Sequence, residues 1–179
     1  NLGYVVTGTV RFEPIPGSGN PATYEALYAR FDVAGNPISA FSYRLVAASG
    51  GPSYDTYGDG IETLPGGDVV IAGRTNAVGA ALDDAAVLRI NPADAVVWAR
   101  AISGVAPAAA AMSRSAERVI TSAGTSDGAG PGNIGLLAVD ELGNHVFSRA
   151  FSPASPGLQS LGRDQVWLGG SHPGWSIVG

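Results

Sequence analysis

The sequence predicts an all-β fold, and three observations carry that prediction. Runs of five to eight residues rich in Val, Ile, Leu and aromatics recur along the chain. Each is bounded by Gly, Pro, Asn or Asp, the signature of short strands joined by tight turns. The 26 Gly and 12 Pro supply those turns. The runs also repeat as a group, at an interval of about 50 residues, the spacing of a three- or four-stranded supersecondary unit.

The clearest unit reads Gly67-Asp-Val-Val-Ile-Ala-Gly73, a polar loop, Asp84 to Asn91, a turn, then Ala95 to Ala101. Before it stand Gly3 to Thr9, a long loop, Glu25 to Asp32 and Ile38 to Tyr43. After it stand Val119 to Gly124, Asn133 to Asp140 and Val146 to Phe151. A fourth unit starts at Val166-Trp-Leu-Gly169 and stops within Trp175 to Gly179. The residues that close the third-strand segments, Asp32, Asn91 and Asp140, are spaced 59 and 49 apart. The glycines Gly8, Gly73, Gly124 and Gly169 mark the same period. The longer first interval is absorbed by Arg11–Thr23 and Ala47–Tyr57, both read as loops.

Asp32-Val-Ala-Gly35-Asn36 and Asp140-Glu-Leu-Gly143-Asn144 read as hairpin loops with Gly in the left-handed position. Asn91-Pro-Ala-Asp94-Ala reads as the same turn with Asp in that place, a tolerated choice. An inner strand precedes the glycine strand at Gly60 to Gly67, Ala111 to Ala116 and Leu158 to Gly162. Ala106–Arg118 is the one stretch with helix-like composition, but the repeat assigns it a connection and an inner strand. The expected architecture is a β-propeller-like array of four-stranded antiparallel blades over 1–179, at 2–46, 57–104, 107–152 and 156–179. About three and a half blades do not close a ring. We therefore expect a processed protein, a piece of a longer one, or a propeller completed by another chain.

The succession G-G-x-V-V-x-G-x-T, then D-A-x-V-x-R-x-N, then G-N-x-x-W-x-R resembles the β-propeller repeats of bacterial secreted proteins. Residues 58–104 carry it best. The resemblance implies a propeller at an extracellular, cell-surface or periplasmic address. It implies nothing catalytic.

Composition excludes several functions. Ten Arg, no Lys and 15 acids give a net charge of −5 and a pI near 4.8. Such a chain lacks the basic surface on which nucleic-acid affinity rests. Without Cys it has no disulfides, thiolate metal sites or Cys nucleophile. No apolar run approaches the ~18 residues of a membrane span.

The motifs are weighed in the same way. Gly130-Pro-Gly132-Asn-Ile-Gly135 matches G-x-G-x-x-G, but a strand follows it where a dinucleotide site needs a helix. His145 falls at a turn tip, and His172 falls in the loop Ser171-His-Pro-Gly, where Ser171 is a sequence neighbour and not a catalytic partner. Asp55, Asp59, Asp83 and Asp84 are the candidate metal ligands, and calcium is the cation their oxygens would suit. No other cofactor and no catalytic residue is assigned. Trp98, Phe147 and Phe41 sit near corresponding places in the last strands and read as packing between units, with Arg100 and Arg149 two residues from an aromatic on the same face.

The reading that results is a non-enzymatic binding or structural module of an exported protein, using loops to contact a protein partner or further blades. The rival is a carbohydrate-active propeller enzyme. It would use Asp55, Asp59 and Asp84, with Asp127, as facing carboxylates.

Overall fold

The computed structural model describes residues 3–46, 53–76, 84–102, 110–115, 118–124, 134–151, 164–168 and 174–178. No helix occurs among these residues. The first sheet is β1 (Tyr4–Phe12), β2 (Thr23–Phe31) and β3 (Pro37–Tyr43), antiparallel in that order. A short hairpin follows, β4 (Leu45–Val46) with β5 (Ser53–Tyr54). The second sheet runs β6 (Gly60–Thr63), β7 (Val69–Thr75), β8 (Asp84–Ile90) and β9 (Val96–Ile102). The third runs β10 (Ala110–Ser115), β11 (Arg118–Gly124), β12 (Ile134–Asp140) and β13 (His145–Phe151). β14 (Asp164–Leu168) and β15 (Gly174–Val178) pair as a last hairpin. The sheets succeed one another through their leading strands: β1 lies against β6, β6 against β10, and β10 against β14.

Three outer hairpins repeat atom for atom. Asp32 Oδ1 accepts the amides of Ala34 and Asn36 at 2.9 and 2.8 Å, and Asp140 Oδ1 accepts those of Leu142 and Asn144 at the same two distances. Asn91 Oδ1 accepts the amides of Ala93 and Ala95, both at 3.0 Å. An Asx side chain thus satisfies turn donors that would otherwise face water. The left-handed residue is Gly35 (φ 84°), Asp94 (φ 62°) or Gly143 (φ 80°), as the loop sequences predict. Each hairpin is followed by the same bulge: the register shifts at Arg30/Phe31, Arg89/Ile90 and Ala138/Val139.

The second sheet is covered on both faces, so β7 and β8 read as near-continuous apolar runs instead of alternating ones. On one face Val69, Ile71, Leu88 and Ile90 pack with Tyr28, Val5 and Tyr43 of the first sheet. On the other, Val70, Ala72, Ala85, Val87 and Trp98 pack with Leu137 and Val139 of the third. Each large side chain buried this way contributes roughly 1.5–3 kcal/mol. Gly73 must be Gly, because a Cβ there would run into the carbonyl of Tyr57, which crosses the strand closely.

Several expectations need correction. Ala47–Tyr57 is not all loop: β5 lies within it, Thr56 bridges to Thr75, and its buried hydroxyl accepts the Leu45 amide at 3.0 Å. Residues 47–52 lie outside the described set, as do Leu158–Gly162 and the G-x-G-x-x-G loop up to Asn133. Ala110–Ser115 is strand, as the repeat predicts, and its helix-like composition yields to pairing with β11. Ala123, not Gly124, occupies the place of Gly8 and Gly73: it pairs with Gly135, whose counterparts Leu27 and Ala86 face those glycines. Phe41 is not the counterpart of Trp98. Counted from the hairpin, that counterpart is Ser39, and Phe41 stands where the second sheet has Arg100, 45% exposed.

Candidate functional site

The acidic candidates are drawn into separate structural contacts. Asp55 accepts the backbone amide of Tyr24 at 3.0 Å, fastening the connecting segment to β2. Asp59 lies 3.5 Å from Arg74 Nε. The Arg74 guanidinium stacks on Tyr57 at 4.6 Å, and Tyr57 stacks on Tyr24 at 5.1 Å between centroids. Arg11 closes the column 5.9 Å from the Tyr24 ring. A divalent cation at Asp59 would meet the Arg74 charge. Asp84 is buried at the head of β8, opposite Thr75. Asp83, Asp127 and His172 lie outside the described residues, as does the side chain of Asp164. Among the described residues no three His, Asp or Glu side chains come together as metal ligands.

The organised features are instead the seams between sheets. The front face of one sheet meets the rear face of the next, and an arginine crosses each of the first two seams. Arg30 on β2 donates through Nη1 to Pro92 O at 2.5 Å and lies 3.3 Å from Asp94 Oδ1. Arg89, its counterpart on β8, donates to Glu141 O at 2.6 Å and holds Asp68 at 2.7 Å. Pro92 and Glu141 both directly follow the Asx residue of the next hairpin. Trp98 adds a bond from Nε1 to Glu141 O at 3.0 Å, and its ring lies against Gly143, where a Cβ would sit 2.7 Å from Cδ2. Trp98 therefore has the packing role read for it from sequence. The seam arginines are missing from that reading, although both precede the last apolar residue of their strands, in Ala-Arg30-Phe and Leu-Arg89-Ile.

At the first seam Tyr43 fills the gap near the next hairpin. Its hydroxyl donates to Asp94 O at 3.0 Å, and its ring lies 6.5 Å from Tyr28 and 6.4 Å from Phe41. Burial, with Asp94 and Tyr28 adding to it, pushes the Tyr43 phenol up to about 12. At the second seam an open cleft of about 540 Å³ lies in the corresponding place, lined by Arg100, Ile102, Gly143, Asn144, His145 and Ser148.

The first sheet has no sheet before it among the described residues, and its rear face is open. Tyr4 and Val6 are 62 and 45% exposed. Their counterparts Val69 and Ile71 on the second sheet are 1 and 0% exposed, covered by the front of the first. Compared with known proteins, the chain matches no protein-family model and no curated sequence.

Proposed function

We propose that the chain is a β-propeller segment of an exported protein and acts as a non-enzymatic binding or structural module through protein contact. The observation that carries this is the open rear face of the first sheet. The counterparts of Tyr4 and Val6 one unit later, Val69 and Ile71, are covered by a sheet front, so the surface is of a kind that this repeat uses for packing. A monomer gains nothing from exposing Tyr4 and Val6 side by side. The carbonyl of Val33 stands where Pro92 and Glu141 accept a seam arginine. A partner presenting a sheet with an arginine in the place of Arg89 would complement both features. The exported address rests on the resemblance of the repeat to those of secreted bacterial proteins.

The test is site-directed photocrosslinking in the source envelope. A photoreactive residue at Tyr4 should yield a protein adduct, and adding Val6→Asp should abolish it. The same probe at Ile15, 77% exposed in a loop, should yield none. Equal adducts at both sites, or none at Tyr4, would refute the proposal.

A further inference from the structure

The cleft at the second seam and the filled seam before it are lined by the same repeat positions. Hairpin and strand registers match Ile102 to Tyr43, Arg100 to Phe41, Gly143 to Asp94, His145 to Val96 and Ser148 to Ala99. At the first seam, the space is taken by two aromatic rings, and the Tyr43 hydroxyl donates to the carbonyl of the left-handed turn residue. At the second, Ile102 is too short to reach that carbonyl, which there belongs to Gly143. Arginine replaces the second ring. What remains is a space the size of a small-molecule site, about 540 Å³, with no carboxylate among the described residues that line it. The walls hold their shape, because Gly143 is packed on Trp98 and the hairpin is tied by Asp140.

We propose that this cleft binds a small hydroxylated ring bearing a carboxylate. The ring replaces the missing phenol of the first seam, and its hydroxyl donates to Gly143 O as Tyr43 does to Asp94 O. The carboxylate pairs with Arg100, whose one hydrogen bond among the described residues runs from Nη1 to the adjacent Ala99 carbonyl at 2.9 Å. An anion is favoured here although the molecule carries a net charge of −5, because the charge lining the cleft is that of Arg100. Asn144, His145 and Ser148 add polar contacts at the rim. None of these residues belongs to the open rear face, so the cleft and the partner surface can be tested separately.

The probe is 4-hydroxybenzoate, titrated into the 179-residue chain and followed by amide shifts. Saturable binding confined to residues 100–102 and 143–148 is expected. Arg100→Gln, at an exposed position, should weaken it about tenfold, the loss of one charge-assisted bond. Benzoate, without the hydroxyl, should bind several-fold more weakly. Ile102→Tyr rebuilds the first-seam arrangement and should abolish binding while raising the melting temperature. Absence of saturable binding would overturn the proposal, as would binding unchanged by Arg100→Gln. Full binding by a folded Ile102→Tyr would overturn it as well.

Discussion

At the residue scale, the Asx positions of the hairpins carry a pH dependence whose sign is fixed. The Asn36 side chain and then the Asn36 amide hold the Asp32 carboxyl below its ordinary value, and Asn144 does the same for Asp140. A carboxylate with a depressed folded pKa stabilises the fold above its unfolded pKa of about 3.9, and that contribution disappears as pH falls through the lower folded value. Acid unfolding should therefore steepen below the ordinary Asp range. The double variant Asp32→Asn with Asp140→Asn should show a shallower acid limb in circular dichroism, while Asn91→Asp should make that limb steeper. These turns were legible in the sequence because all their bonds close within four residues, so composition alone specifies them. Asp94 was legible for the same reason. Its left-handed backbone is set by its place in a loop of fixed length.

At the scale of the element, what the sequence shows and what it hides divide by distance along the chain. Strands and hairpins depend on local periodicity and were readable, the inner strand Gly60–Thr63 included. The bonds of Arg30 and Arg89 join residues 62 and 52 positions apart, and no local pattern announces them. The placement of Phe41 fails differently. An aromatic two residues further along the strand keeps the same facing, so periodicity cannot separate it from Ser39. The seam arginines invite a direct measurement. Arg89 is mostly buried and ties the second sheet to Asp68 and to the third hairpin, with side-chain exposure of 20% against 16% for Asp68. Arg89→Gln leaves the Asp68 carboxylate without its ion partner and should cost about 2 kcal/mol in urea unfolding, within the range for charged hydrogen bonds. Arg11→Gln, which removes an exposed pair with Glu13 and a contact with the Tyr24 ring, should cost less than about 1 kcal/mol. At the place of Arg89 the third sheet has Ala138, so the latch is not repeated there.

At the scale of the whole molecule, the array has a direction, since every described seam joins a front face to a rear face through the same positions. Directional packing of this kind predicts that equivalent residues differ in their tolerance of charge only by whether a sheet covers them. Val6 and Ile71 occupy the same repeat position on β1 and β7, at 45 and 0% exposure. An aspartate at Ile71 would be desolvated between two sheets with no cation among its core neighbours, at a cost of roughly 3–5 kcal/mol. The same charge at Val6 stays in water, and the change should fall within about 1 kcal/mol, the ordinary range for surface substitutions. Paired melts of Ile71→Asp and Val6→Asp in the isolated chain read this difference directly. If the two variants lose equal stability, the rear face of the first sheet is already covered in the free chain, and the array closes on itself. If only Ile71→Asp is destabilised, the face is open and free to pack against another protein. Its Tyr4 and Val6 then have the same packing role that Val69 and Ile71 perform one unit later.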